Sequence, residues 1–287
     1  MTAIYRGFDK NELDRQYKAS ETVPNMQGFI DQYISLSAIA LDTLDNVTGI
    51  KFGPGAEEVL DLFPVPGVTD APLFVFIHGG YWRMLSKNES SFMAPNLVSH
   101  GVAVAAVNYT LVPGSDIDQI VAECRRCIAW LYHNAEVHGI DPKRIYVGGS
   151  SAGGHLTGMI VAGGWKKKLG LPEDVVKGGL PMSGLLDMEP IVGCFVNEWM
   201  QMSMEDALRN SPDRNLPKIG CPLIVAVGGD ETKEFRRQSK DFVALWKSKG
   251  WQAEYLECAG INHFNAPLEL CKPDSEMARK LFAMIGL

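Results

Sequence analysis

The chain has 287 residues, 46% of them hydrophobic and 21% charged, which fits one large α/β domain whose core needs neither disulfides nor a metal. A net charge of −7, with Lys166-Lys167-Lys168 as the single basic run, speaks against a nucleic-acid partner. No stretch of about 18 uninterrupted apolar residues marks a membrane span, and the first twenty residues are too charged for a signal peptide, so a cytoplasmic chain is expected.

In chain order, residues 9–20 read as a polar helix and 25–44 as a second helix that covers a sheet edge or one side of a pocket. The runs 47–52 and 58–63, separated by Gly53-Pro54-Gly55, form an expected antiparallel hairpin. Residues 73–77 and 102–107 are continuous apolar runs, the pattern of strands buried on both faces of a parallel sheet, with a helix over 90–100 between them. A long helix over 116–138 follows. Ile117, Ile120, Val121, Cys124, Ile128 and Leu131 recur at spacings of three and four, with Glu123, Arg125 and Arg126 expected outside. Ser115 or Asp116 suits its N-cap and Gly139 its stop. A strand over 144–148, a helix over 152–162 and a strand over 175–182 come next, then a buried strand over 222–227. A helix over 234–249, a last strand over 253–258 and a closing helix over 275–285 complete the alternation, which predicts a mostly parallel, doubly wound sheet in a single domain. Residues 185–215, rich in methionine and aromatic side chains, interrupt that order and read either as a small cap or as a plain connecting helix pair.

Six cysteines stand at 124, 127, 194, 221, 258 and 271. The C-x-x-C pair Cys124 and Cys127 falls inside a helix with no second pair, so buried reduced thiols are expected, with no metal and no cofactor. Lys166 to Lys168 read as a solvated helix end.

The chemistry centres on Gly149-Ser150-Ser151-Ala152-Gly153, a G-x-S-x-G sequence between a strand and a small-residue helix. A serine on that sharp turn is forced toward strained backbone angles, needs small residues two positions to either side, and is held out where a substrate can reach it. Acyl transfer by serine also needs a base, an acid that orients it and donors for the oxyanion. His263, after the last strand, is the expected base. His78, before Gly79-Gly80, is expected to order that loop instead, and His155 faces away from Ser151. The acid follows the 222–227 strand, with Glu231 favoured by its spacing from the strand-ending glycine and Asp230 as the alternative. The oxyanion donors are the Ala152 N–H and one or two of those on Gly79, Gly80 and Tyr81. Tyr81, Trp82, Phe195 and Trp199 are expected to wall the substrate cleft and to favour short acyl groups on aryl leaving groups.

HGGYW, GGSSAGGHL, SGLLDMEP, MEDALRNSP, GGDETKEFRRQS and NHF together resemble arylformamidases (kynurenine formamidases) and their esterase relatives, near the hormone-sensitive-lipase branch of the α/β-hydrolases. The resemblance runs from about residue 58 to the end, and Tyr81-Trp82 and the GGDETKEFRRQS block are its more particular parts. It implies an α/β-hydrolase fold, a triad of Ser151, Glu231 and His263, and oxyanion donors at Gly80, Tyr81 and Ala152. Two positions depart from the mammalian formamidase pattern: Ser150 replaces a histidine before the nucleophile, and Glu231 stands where aspartate is usual. The expected function is a metal-free serine hydrolase of a small ester or amide, such as N-formylkynurenine. The alternatives are a short-chain carboxylesterase without formamidase activity and a non-catalytic ligand-binding relative. A small-molecule substrate is the expected partner, and a homodimer stays open.

Overall fold

The computed structural model describes residues 3–287. Eight strands, β1 Val47–Lys51, β2 Val59–Phe63, β3 Ala71–Ile77, β4 Ala103–Val107, β5 Ile140–Ser150, β6 Val176–Met182, β7 Leu223–Gly228 and β8 Ala253–Cys258, form one sheet. Their order is β1-β2-β4-β3-β5-β6-β7-β8. The β1–β2 and β2–β4 pairs are antiparallel, and every pair from β4 through β8 is parallel. Order follows from pattern here, since apolar runs that need cover on both faces can only be interior strands.

Side chains alternate across that sheet. Leu73, Val75 and Ile77 of β3 belong to one core cluster, and Phe74 and Phe76 to the other. The first cluster is closed by α4 Ile117–Asn134, α5 Ala152–Val161 and α9 Lys233–Ser248. The second is closed by α2 Met26–Thr43, α3 Ala94–Ser99 and α10 Glu276–Ile285. Helix α1 Lys10–Tyr17 packs on α9, and the short helices α6 Glu189–Gly193, α7 Asn197–Met200 and α8 Met204–Arg209 divide the segment between β6 and β7. Among the described residues no helix is long and apolar enough to cross a membrane.

Several expectations need correction. The helix over 90–100 is only Ala94–Ser99, because Pro95 opens it and Ser90 to Met93 remain outside its turns. Helix α4 stops at Asn134; a separate 3₁₀ turn, Glu136–His138, leads to Gly139 in the left-handed region at φ 71°. Its N-cap is Asp116, which accepts from the Gln119 N–H. Glu123 is not on the outside: it is 1% exposed. Its carboxylate accepts from the Thr110 N–H at 2.7 Å and from Gln119 Nε2 at 3.0 Å, which offsets the cost of burying the charge. Arg125 and Arg126 are also engaged, Arg125 with the Met159 carbonyl of α5 and Arg126 with Glu58 across to the β2 side. In the lysine run only Lys167 and Lys168 are exposed. A 3₁₀ turn, Lys166–Leu169, turns Lys166 inward, and burial pushes its pKa down.

His155 ties α5 to the end of the 185–215 segment. It is fully buried, and its Nε2–H donates to the Asn210 carbonyl at 2.7 Å. Burial pushes its pKa down to about 4, with the Asn210 bond opposing, so the ring is neutral and Nδ1 carries no proton. The folded pKa lies below the unfolded value of about 6.5, so between the two the unfolded chain holds the extra proton. His155 therefore contributes stability that is fully present above about pH 6.5 and is lost as pH falls toward 4. Urea midpoints measured from pH 7 to 4 should fall for the native chain and fall less for His155→Gln. Parallel curves for the two proteins would remove His155 from this role.

Candidate active site

The turn after β5 places Ser151. Ser151 has φ 59° and ψ −116°, a conformation that costs a non-glycine residue roughly 1–3 kcal/mol. It is held by continuation of the sheet, the Ser151 N–H donating to the Met182 carbonyl at 2.8 Å, and by α5, whose His155 N–H donates to the Ser151 carbonyl at 3.0 Å. The glycines make the turn sterically feasible. A Cβ on Gly153 would lie 1.9 Å from the Ile77 carbonyl oxygen, and one on Gly149 would lie 2.5 Å from that of Gly153. On the other side Gly79 approaches so closely that a Cβ there would stand 3.3 Å from the Ser151 Cβ.

That approach brings the loop after β3 against the serine. Gly80, Tyr81 and Trp82 all have positive φ, at 93°, 50° and 57°. The loop closes on itself where the Arg83 and Met84 N–H groups both donate to the Gly80 carbonyl at 3.0 Å. His78 braces it from beneath: its Nδ1–H donates to the Gly79 carbonyl at 2.9 Å, and its ring stacks on Tyr109 at 4.2 Å. Burial pushes the His78 pKa down to about 4, so it is a neutral support, as its sequence position suggested. The Ala152 N–H opens α5, where helix geometry leaves the first amides unpaired.

The loops after β7 and β8 supply the other pair. His263 and Glu231 are 5% and 4% exposed, and His263 Nδ1 lies 2.6 Å from Glu231 Oε2. A carboxylate can only accept, so Nδ1–H is the donor of this bond and Nε2 is left out of it. Glu231 Oε1 accepts from Ser183 Oγ at 2.5 Å and from the Gly228 N–H at 2.7 Å, which fixes the carboxylate plane. Asp230, the alternative acid, is exposed, and its backbone rather than its side chain joins the His loop through the Ile261 carbonyl. The spacing argument for Glu231 agrees with this geometry. Ser183, with φ 49° just past the end of β6, opens the SGLLDMEP stretch, but sequence reasoning gave it no role because nothing local shows that it faces Glu231.

Ser151, His263, Gly79, Gly80 and Tyr81 open onto one cavity of about 330 Å³. Phe195 and Trp199 of the 185–215 segment line it, as expected. Their ring centroids are 5.6 Å apart, and each meets Tyr81 edge-on. Trp82 does not. It is 0% exposed, packed edge-to-face on His155 at 5.1 Å, so it supports the loop from within and cannot touch a substrate. A residue following Tyr81 in a left-handed turn points to the opposite side of the loop, which the sequence alone did not reveal. A further part of the wall comes from Met26, Ile30 and Tyr33 on α2, whose spacing of four and three puts them on one helical face.

The N-terminal segment does more than roof the cavity. Tyr81 Oη donates to the Tyr17 carbonyl, and Thr232 Oγ1 donates to the Gln16 carbonyl at 2.6 Å. Tyr33 Oη donates to the Phe264 carbonyl, one residue from His263. The loops carrying Tyr81, Glu231 and His263 are thus each tied to residues 16–33.

The fold is that of an α/β-hydrolase. The EstE1 carboxylesterase from a metagenomic library superposes with a TM-score of 0.70 over 98% of this chain and 97% of that one, at 19% identity. A Silicibacter sp. TM1040 protein described as a thioesterase superposes with a TM-score of 0.83 at 27% identity, over 96% of this chain and 99% of the other. The BD-FAE family model matches residues 60–181. The kynurenine formamidases of Salmo salar and Danio rerio are 33% and 32% identical to it, each over 98% of this chain and 98% of the relative. The chain belongs to the kynurenine formamidase family and is a hydrolase.

The packing of the elbow gives a direct test. Gly153→Ala puts a methyl group into the Ile77 carbonyl, where neither backbone can yield, and overpacking of this kind costs roughly 1–3 kcal/mol or more. A lower urea midpoint together with lost turnover of p-nitrophenyl acetate is the expected result. A variant with native midpoint and rate would contradict the close approach of β3 to α5.

Proposed function

We propose that the chain is a serine hydrolase of small carboxylic esters or amides, working through an acyl-enzyme, with Ser151 as nucleophile, His263 as general base and acid, and Glu231 as the group that orients His263. The observation that carries this reading is the 2.6 Å His263–Glu231 contact, which leaves Nε2 free on the same cavity that a strained Ser151 faces. Ser151 Oγ attacks the acyl carbon while His263 Nε2 takes its proton. The oxyanion is received by the N–H groups of Ala152, Gly80 and Tyr81, with Gly79 kept side-chain-free so that the loop can approach. Collapse returns the proton to the leaving oxygen or nitrogen, and a water activated by His263 then releases the acid. Each oxyanion donor of this kind is worth ~2.7–4 kcal/mol.

N-formyl arylamines such as N-formylkynurenine are the substrates we favour. The relatives named above carry that activity in their names, and the cavity is small and walled by Tyr81, Phe195 and Trp199, which suits an aryl leaving group behind a short acyl group. A second reading, a short-chain carboxylesterase without deformylation, draws on the esterases of the same fold and on Ser150 and Glu231, where this chain departs from the mammalian pattern. We read residues 1–287 as one domain, with 1–45 as an N-terminal helical segment and 185–215 as a small cap insertion. A reducing, cytoplasmic setting suits the six cysteines, all free thiols.

Single substitutions assign the roles. Ser151→Ala should abolish turnover and labelling by a fluorophosphonate probe while leaving the thermal midpoint intact. Glu231→Gln should lower kcat by about 10²–10⁴-fold through loss of the correct tautomer, whereas Asp230→Asn should change it less than about threefold, as surface substitutions do. The reverse ranking would transfer the role to Asp230.

Chain length and leaving group separate the substrate readings. Across p-nitrophenyl esters from acetate to decanoate, kcat/KM should peak at acetate to butyrate and drop beyond about six carbons, since overfilling a packed pocket costs roughly 1–3 kcal/mol. A peak at octanoate or longer would overturn the small-acyl reading. Ester cleavage without release of formate from N-formylkynurenine would leave the second reading.

A further inference from the structure

The cavity carries two cations that the acyl chemistry does not use. Lys18, just past α1, and Arg83, just past Trp82, both line it, although most of its wall is apolar. Aromatic rings of the same cavity hold both. The Arg83 guanidinium lies 4.7 Å from the Trp199 ring centroid, and Lys18 Nζ lies 5.5 Å from that of Phe195. Those two rings are neighbours, so both cations stand over the end of the wall that Phe195 and Trp199 form.

An aromatic face positions a cation without neutralising it, because it offers no hydrogen-bond acceptor to the N–H fork. Among the described residues no carboxylate lies in ion-pair range of Arg83, whose guanidinium rests over the Trp199 ring. Lys18 has Glu21 at 3.3 Å, an exposed pair that solvent screens. One carboxylate, Glu89, does line the cavity, but its Oε2 already accepts from Ser86 N at 2.8 Å and Ser86 Oγ at 2.9 Å in the capping box of a 3₁₀ turn. The balance at that end of the wall is positive.

We propose that Arg83, with Lys18 beside it, determines specificity by receiving a carboxylate carried on the aryl leaving group of the substrate. This rests on the hydrolase reading above. The aryl ring packs against Phe195 and Trp199, and the planar guanidinium, already held over the indole, offers two parallel N–H donors to both carboxylate oxygens. A neutral tail of the same shape fills the same space but leaves the fork to water. Discrimination then comes from the tail's charge rather than from the scissile group.

Binding and turnover test this separately. In Ser151→Ala protein, 3-phenylpropanoate should bind about fivefold tighter than 3-phenylpropanamide, the scale of a solvent-accessible ion pair. The preference should shrink as salt is raised, because screening weakens exposed pairs. Arg83→Gln in that background should bring the two affinities together, and Arg83→Lys should keep part of the difference. In otherwise native protein the kcat/KM ratio of 3-(4-acetoxyphenyl)propanoate to its primary amide should fall about fivefold on Arg83→Gln, chiefly through KM. Equal binding of acid and amide, or a ratio that survives Arg83→Gln combined with Lys18→Gln, would overturn the proposal. An intact acid preference in binding with neither ester turned over would instead count against the hydrolase reading and leave the anion site standing.

Discussion

The close contact between β3 and the start of α5 is the constraint on which the rest of the structure depends. The Ile77 carbonyl and the Gly153 backbone meet with no room for a side chain, and a Cβ on Gly79 would stand 2.7 Å from the Ser150 carbonyl oxygen and 3.3 Å from the Ser151 Cβ. Only glycine permits that proximity. It lets α5 begin abruptly after β5, leaves Ser151 at φ 59°, and brings the 79–85 loop against the hydroxyl it would serve. Relaxing the contact by even a methyl group would separate the proposed oxyanion donors from the proposed nucleophile.

A second level of organisation holds the functional loops relative to one another. The Glu231 carboxylate is saturated by His263, Ser183 and the Gly228 amide, so its orientation is set by β6 and β7 as well as by its own loop. The N-terminal segment ties the Tyr81, Thr232 and Phe264 loops through hydrogen bonds from those residues or from Tyr33. These ties cost little in sequence terms: two use backbone carbonyls of residues 16 and 17, which any side chain could supply.

Histidine burial adds a different kind of order. His78 and His155 are both held neutral by desolvation, each donating one N–H to a carbonyl. They act as rigid spacers beneath the oxyanion loop and behind the elbow, with Trp82 packed against His155 between them. The buried indole is thus part of the loop's support.

The alternation of strands and helices, the mostly parallel sheet, the G-x-S-x-G turn between β5 and α5, and the placing of His263 and Glu231 after strand ends were legible in the chain itself. Buried parallel strands need unbroken apolar runs, a strained serine needs small flanking residues, and position after a strand end is a one-dimensional property. What only the tertiary structure decided were the directions in which side chains point. Glu123 and Lys166 lie inside because neighbouring elements close over them, and Trp82 lies beneath its loop because three successive positive φ angles turn it there. Ser183 reaches Glu231, and Arg83 reaches Trp199, across 48 and 116 residues of chain respectively. Such pairings depend on how separate loops come to rest against each other, and no local spacing encodes that.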